Sequence, residues 1–154
     1  MTLVKNWEKE ILHWLGNNRL IPLVAIGTRE DVSKAVNKFC EAHYRCLIIS
    51  YESFRLNAQK FTDLCDLLIL DEGHRLKNMN IKTFQTFNKV NCIKRIILTG
   101  TPLQNSFDEF FSCLSFVNPG LFSNLTTFRK VFSNPILESF KKDSSEETKN
   151  LARF

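Results

Sequence analysis

Hydrophobic and polar positions along this chain alternate between two periods. Over Asn6–Leu15, Trp7, Ile11, Trp14 and Leu15 recur at helical spacing while Glu8, Lys9, Glu10 and His13 fall elsewhere, which predicts an amphipathic helix with Trp7 and Trp14 facing the core. Gly16 and Asn17 end it. Leu23–Ile26 is a short apolar run, and Thr28 with Asp31 three residues later opens a helix carrying Val32, Ala35, Val36 and Phe39. Further short runs follow at Leu47–Ser50, Leu67–Leu70 and Ile96–Thr99, separated by segments of helix-permitting length. Apolar at consecutive positions, the runs read as strands covered on both faces, so the expected class is α/β with a mainly parallel sheet flanked by helices. Ser106 with Glu109 begins another helix, bearing Phe107, Phe110, Phe111, Leu114 and Val117 and stopped by Pro119 and Gly120. Eight of the 14 phenylalanines lie between Phe107 and Phe140, too many for a solvated surface, so this part is expected to pack on something.

Composition narrows the class. With 154 residues, 44% hydrophobic and 24% charged, the chain has the makeup of a globular domain rather than a disordered one. No apolar run approaches the roughly 20 residues of a membrane span, and the amino-terminal segment has no apolar stretch of signal type, so a soluble intracellular protein with no membrane partner is expected. Five cysteines, scattered and without a Cys-x-x-Cys pair, read as buried thiols of a reducing compartment. The Cys40, His43, Cys46 spacing is half of a zinc site with no second half. A net charge of +5 permits a polyanionic partner without requiring one. Its distribution says more: Arg75, Lys77, Lys82, Lys89, Lys94 and Arg95 occur between Arg75 and Phe107 with no acid among them, the pattern of a local positive field or of a solvated basic face.

In a parallel α/β sheet, ligands bind beyond the carboxyl ends of the strands. Leu67–Leu70 runs directly into Asp71, Glu72, Gly73 and His74. Adjacent carboxylates repel unless solvated or neutralised, and a magnesium nucleotide would neutralise them. Asp71 is then the metal ligand and Glu72 the group that orients and deprotonates an attacking water, although a strand-end Asp capping the next helix is the plainer reading of the pair alone. Ile96–Thr99 runs likewise into Gly100, Thr101, Pro102, Leu103, Gln104 and Asn105, hydroxyls around a glycine at a second strand end. The two ends one crossover apart are more specific together than either is separately.

The strings Leu70–Asn78 and Leu98–Asn105 resemble the second and third motifs of Swi/Snf-type ATPases, a branch of the superfamily-two helicase fold. Leu3–Trp7 with Trp14 and Leu15 resembles the family's DNA-contacting segment, and Ile48–Arg55 its next motif. The Arg75–Asn78 extension, Phe116–Pro119 and Pro135–Leu137 are most similar to the branch that translocates on DNA in recombinational repair. The resemblance implies a partial RecA-like lobe, with residues 1–137 the carboxyl-terminal part of the first ATP-binding lobe and 138–154 a polar tail or the start of an inter-lobe insertion. It implies ATP with Mg²⁺ as cofactor, Asp71, Glu72 and His74 as catalytic residues, and Thr99, Gly100, Thr101 and Gln104 as the coupling between nucleotide and DNA. Thr2, Lys5, Asn6, Ser50, Tyr51 and Arg55 would then lie near the backbone of double-stranded DNA. A nuclear location follows from the same resemblance, with a strand-exchange recombinase or a nucleosome as further partner.

One departure stands against the family pattern. The family's site begins with a Gly-x-Gly-Lys-Thr loop that cradles phosphate, and none of Gly16, Gly27, Gly73, Gly100 or Gly120 is followed by Lys. With the P-loop strand missing and no second lobe, the chain reads as a fragment whose sheet has an open edge and which by itself hydrolyses no ATP. The leading expectation is therefore part of an ATP-driven translocase on double-stranded DNA, in recombinational repair or chromatin remodelling. A catalytically inactive DNA- or protein-binding fragment is the alternative. A small α/β hydrolase using Asp71 and His74 is disfavoured by the absence of a Gly-x-Ser-x-Gly elbow.

Overall fold

The computed structural model describes residues 3–41, 44–73, 81–100 and 106–141, with side chains undescribed over 81–84. Strands and helices alternate as the hydrophobic pattern predicts, and they gather into two compact units, Met1–Asp66 with Ile81–Cys92, and Leu67–Asn80 with Ile93–Phe154.

In the first unit, α1 (Leu3–Leu15) is followed by β1 (Leu23–Ala25), α2 (Arg29–Glu41), β2 (Leu47–Ile49) and α3 (Tyr51–Asn57), and later by α4 (Ile81–Asn88). β1 and β2 pair in parallel, Leu23 opposite Leu47 and Ala25 opposite Ile49. The Thr28–Asp31 capping box forms as read: Asp31 Oδ2 accepts from the Thr28 amide at 2.9 Å and hydroxyl at 2.7 Å, and the Asp31 amide returns a bond to Thr28 Oγ1. Behind the ladder, Phe54 stacks between Phe61 and Phe87 with ring centroids 5.2 and 4.6 Å away, while Val36 on α2 is fully enclosed.

α1 packs toward β1 and β2 through a half-buried face that includes Trp7 and Ile11. Trp14 departs from the sequence expectation. It is 75% exposed and its indole N–H donates to Glu10 at 3.1 Å. The reason is length: a 13-residue helix runs about 20 Å, whereas three-residue strands span about 10 Å, so the last turn overshoots the surface that would bury it.

The second unit holds β3 (Leu67–Leu70), β4 (Lys94–Ile97), α5 (Phe107–Val117), α6 (Leu125–Phe128), a π-helical turn over Arg129–Ser133 and α7 (Asn134–Ser139). β3 and β4 are parallel, with Leu67 opposite Lys94 and Leu70 opposite Ile97. This register moves the fourth strand two residues toward the amino terminus of the apolar run. Arg95 is accommodated there because its guanidinium lies 4.7 Å over the Phe116 ring and donates to the Phe116 carbonyl at 3.2 Å, supplying α5 with the cation its own last turn lacks. Arg95 is thus a packing residue rather than part of a solvated basic face, as the charge pattern alone allowed.

Coverage of both strand faces is not what this unit shows. Leu68 and Leu70 are buried, but Leu67, Ile69, Ile96 and Leu98 on the other face are 39–47% exposed. Consecutive apolar residues record two faces that avoid water, and among the described residues of this unit α5 packs on β4. The phenylalanine-rich segment packs partly on itself: Phe111, Phe122, Phe128 and Phe132 meet at centroid distances of 5.1 to 6.3 Å around a buried Phe128, while Phe140 is exposed. Ser106 caps α5 and Asn124 caps α6, each accepting a backbone N–H three residues on.

Candidate functional site

The β3–β4 ladder does not stop at its last paired residues. The Leu98 amide donates to the Leu70 carbonyl at 2.8 Å, and the Gly73 amide reaches back to the Leu98 carbonyl at 2.9 Å. Asp71 and Glu72 are therefore carried on a turn whose two ends are both bonded to the strand that delivers Thr99 and Gly100. Asp71 Oδ1 accepts the Glu72 amide at 2.9 Å, and Glu72 sits at φ 53°, a left-handed conformation that costs a non-glycine residue on the order of 1 kcal/mol.

Gly73 has no substitute in this turn. A Cβ there would lie 2.1 Å from Ile97 Cγ2, inside any van der Waals contact. The Gly73 carbonyl in turn faces the Cys113 thiol of α5, with Sγ 3.9 Å away. Both acids are half-buried at the strand end, while Thr99 is half-buried and Gly100 exposed.

Two adjacent carboxylates suit a hard cation that takes one or two protein oxygens and completes its shell with phosphate and water, as Mg²⁺ does. Among the described residues no group of three or more His, Cys, Asp or Glu could hold a metal by itself. The donor set at Asp71 and Glu72 thus fits a metal that arrives with its own ligands, and fits a structural zinc poorly. His74, Thr101 and Gln104, which complete the sequence reading of this site, lie outside the described residues, as does Thr2.

The residues read as DNA-facing belong to the first unit. Lys5 and Asn6 are exposed on the first turns of α1, where Lys5 Nζ pairs with Glu8 Oε2 at 2.9 Å. Ser50 is the N-cap of α3, accepting the Ser53 amide at 3.2 Å, and Tyr51 sets its ring edge-on to Phe87 at 5.6 Å. Arg55, one turn along, is half-buried. Of the basic run, Lys89 and Lys94 are exposed. Arg75 and Lys77 fall outside the described residues, and so does the Lys82 side chain.

The sequence pattern of the SNF2-related domain matches residues 1–154. The chain belongs to the SNF2-related family. This SNF2-related chain is 44% identical over 151 residues to human DNA repair and recombination protein RAD54B, covering 97% of the chain and 16% of that protein. It is 41% identical over 160 residues to RAD54 of Saccharomyces cerevisiae, covering 95% and 18%, and 40% identical to Protein CHROMATIN REMODELING 25 of Arabidopsis thaliana, covering 98% and 17%. Among solved structures, the Sulfolobus solfataricus SWI2/SNF2 ATPase core in complex with double-stranded DNA aligns with a TM-score of 0.70 at 26% identity, over 99% of this chain and 31% of that one. The fold is accordingly part of the ATPase core of this family, and the SNF2-related segment described here spans under a fifth of the length of these curated relatives.

Three features of the site escaped the sequence reading: the left-handed Glu72, the close approach at Gly73, and Cys113. The glycine after two acids at a strand end was a usable signal for the first two. Cys113 had none, because nothing in one chain's linear order places a helix residue 40 positions downstream against that carbonyl.

Proposed function

We propose that this chain is the part of an ATP-driven double-stranded-DNA translocase that carries its magnesium-binding and coupling motifs, in a motor of recombinational repair or chromatin remodelling working in the nucleus. The observation that carries the reading is the Gly73-to-Leu98 hydrogen bond, which joins the acidic turn to the strand leading into Thr99 and Gly100. Mg²⁺ bound with the nucleotide supplies neutralisation of phosphate charge. Asp71 would hold that ion, directly or through water, and Glu72 would orient the attacking water and accept its proton. Movement of the acidic turn is passed to Thr99–Gly100 through the backbone bonds at Leu98, with Thr101 and Gln104 the further members of the coupling. His74 joins the same coupling. Lys5, Asn6, Ser50, Tyr51 and Arg55, with Thr2, meet the DNA backbone by charge and short polar groups, which favours contacts indifferent to base sequence. A strand-exchange recombinase or a nucleosome is the further partner in this reading.

The test is reconstitution. Fusing a Gly-x-Gly-Lys-Thr strand and a second lobe from a relative to this chain should yield ATP hydrolysis stimulated by duplex DNA, abolished by Asp71→Asn and by Glu72→Gln, the latter sparing ATP binding. A folded fusion that binds ATP without DNA-stimulated turnover would move the reading to a non-catalytic DNA- or protein-binding segment. That second reading draws on one observation, the lack of any glycine followed by lysine in these 154 residues. Both readings expect the chain by itself to show no ATPase activity.

A further inference from the structure

The helix that carries Tyr51 and Arg55 is too short to place itself. α3 has seven residues, under two turns, and a helix of that length takes its position from packing. Its start is closed locally, by the Ser53 amide on Ser50 Oγ at 3.2 Å and the Phe54 amide on the Ser50 carbonyl at 2.8 Å. Those bonds fix the first turn internally and leave open which way it faces.

Packing decides that. Phe54, the buried residue of α3, is stacked between Phe61 and Phe87, with ring planes inclined by 9° and 8°. Phe61 ends the short turn Ala58–Phe61 that continues α3 along the chain, so it travels with the helix. Phe87 comes from α4 and, at 1% exposed, is among the most enclosed side chains. It meets α3 twice, flat against Phe54 at 4.6 Å and edge-on to Tyr51 at 5.6 Å. Positions 51 and 54 are neighbours on one helix face, and one ring bearing on both opposes rotation of α3 about its axis and sliding along it. Arg55 stands one turn from Tyr51, so the orientation given to one is given to the other. All of these residues belong to the first unit.

We infer that Phe87 is a positioning residue of the DNA surface: from α4 it holds α3 in the orientation that presents Tyr51 and Arg55 to the phosphate backbone. The DNA half of this inference rests on the proposed function, and the placement of α3 rests on the ring geometry. Without the ring, α3 keeps its cap but can roll, which spreads the two contacts over many orientations and adds their ordering to the cost of binding.

The experiment compares Phe87→Leu, which keeps an apolar side chain and removes the stacking ring, with Phe87→Met, whose longer side chain and sulfur retain contact with the neighbouring rings. Phe39→Leu is the control for a lost ring, since Phe39 lies on α2 of the same unit and meets Phe61 at 6.2 Å. Amide hydrogen exchange is read at Phe54, in the first turn of α3, against Val32, whose amide bonds to Thr28 at 3.0 Å at the start of α2. Duplex DNA affinity is read by fluorescence anisotropy at two salt concentrations, for each variant alone and combined with Arg55→Ala. Phe87→Leu should speed exchange at Phe54 several-fold relative to Val32. It should bind DNA several-fold more weakly with a shallower salt dependence, and lose less affinity in the Arg55→Ala background than alone. Phe87→Met should fall between Phe87→Leu and wild type, and carries the comparison if Phe87→Leu does not fold. Phe39→Leu should leave Phe54 exchange and DNA affinity near wild type. Exchange at Phe54 no faster than at Val32, or affinity losses that simply multiply with Arg55→Ala, overturns the inference. If the wild-type chain binds no duplex DNA at low salt, the DNA surface of the proposed function fails and this role falls with it, while Phe54 exchange still decides whether Phe87 places α3.

Discussion

The Gly73 amide and the Leu98 carbonyl, 2.9 Å apart, join the turn that bears both candidate catalytic acids to the strand that precedes the second motif. The bond exists because β3 and β4 run parallel and in register through Leu70 and Ile97, so that the chain leaving β3 can fold back onto the chain leaving β4. The link between the turn and that strand is thus made by the backbone.

Gly73→Ala should break that geometry. Its Cβ would meet Ile97 Cγ2 at 2.1 Å, and the turn has to shift or Ile97 has to leave its place. We expect a loss of about 1–3 kcal/mol in urea unfolding of the second unit. Adding Ile97→Ala should recover part of it, with the double variant at least about 1 kcal/mol more stable than the two single losses add up to. Strict additivity would mean that the contact does not decide the need for glycine.

The pair Asp108 and Arg129 makes stability sensitive to acid. Arg129 donates through Nε at 2.9 Å and through Nη2 to the two oxygens of Asp108, and these bonds first, with the Arg129 charge adding to them, hold the Asp108 carboxyl below its ordinary value of 3.8. A depressed folded pKa gives a contribution that is complete above 3.8 and is lost as pH falls below it through the folded value. Asp31, lowered by its bonds from Thr28, acts in the same direction. In a carboxylate titration followed by NMR, Asp108 should titrate below 3.8 in the wild type and shift upward in Arg129→Met. An unchanged midpoint would show that the ion pair is not formed in solution.

Ser133 ends the π-helical turn with a hydroxyl that is buried and, among the described residues, has no hydrogen-bond partner. An apolar replacement removes an unsatisfied polar group without leaving a cavity, so Ser133→Ala should be neutral or stabilising by up to about 1 kcal/mol. A loss larger than that, measured by thermal or urea unfolding, would reveal a bound water or a bond that the folded chain relies on in solution.

Lys5 is held by Glu8, and a phosphate has to compete with that carboxylate. If Lys5 belongs to the DNA surface, Glu8→Gln should raise affinity for duplex DNA about two- to threefold at low salt, and Lys5→Ala should lower it while reducing the salt slope. The comparison is a fluorescence anisotropy titration at two salt concentrations. Equal affinity for wild type and both variants would remove α1 from the interface.

The linear sequence determined the class of the fold, because strands and helices announce themselves by local period, caps and breakers. Thr28 with Asp31 and Ser106 with Glu109 formed their helix starts as read, and Leu67–Leu70 is the third strand to the residue. It also determined the two strand-end motifs and, through them, the family, since a string such as Leu70–Gly73 is a local fact. Register, strand coverage and contact across the chain were decided by tertiary structure alone. β4 starts at Lys94 instead of Ile96 because pairing with β3 and the Arg95–Phe116 contact outweigh the local preference for an apolar run. Trp14 stands in solvent because α1 is longer than the ladder it covers. Cys113 meets Gly73 because α5 packs on β4, a relation between residues 40 positions apart that only the folded backbone brings together.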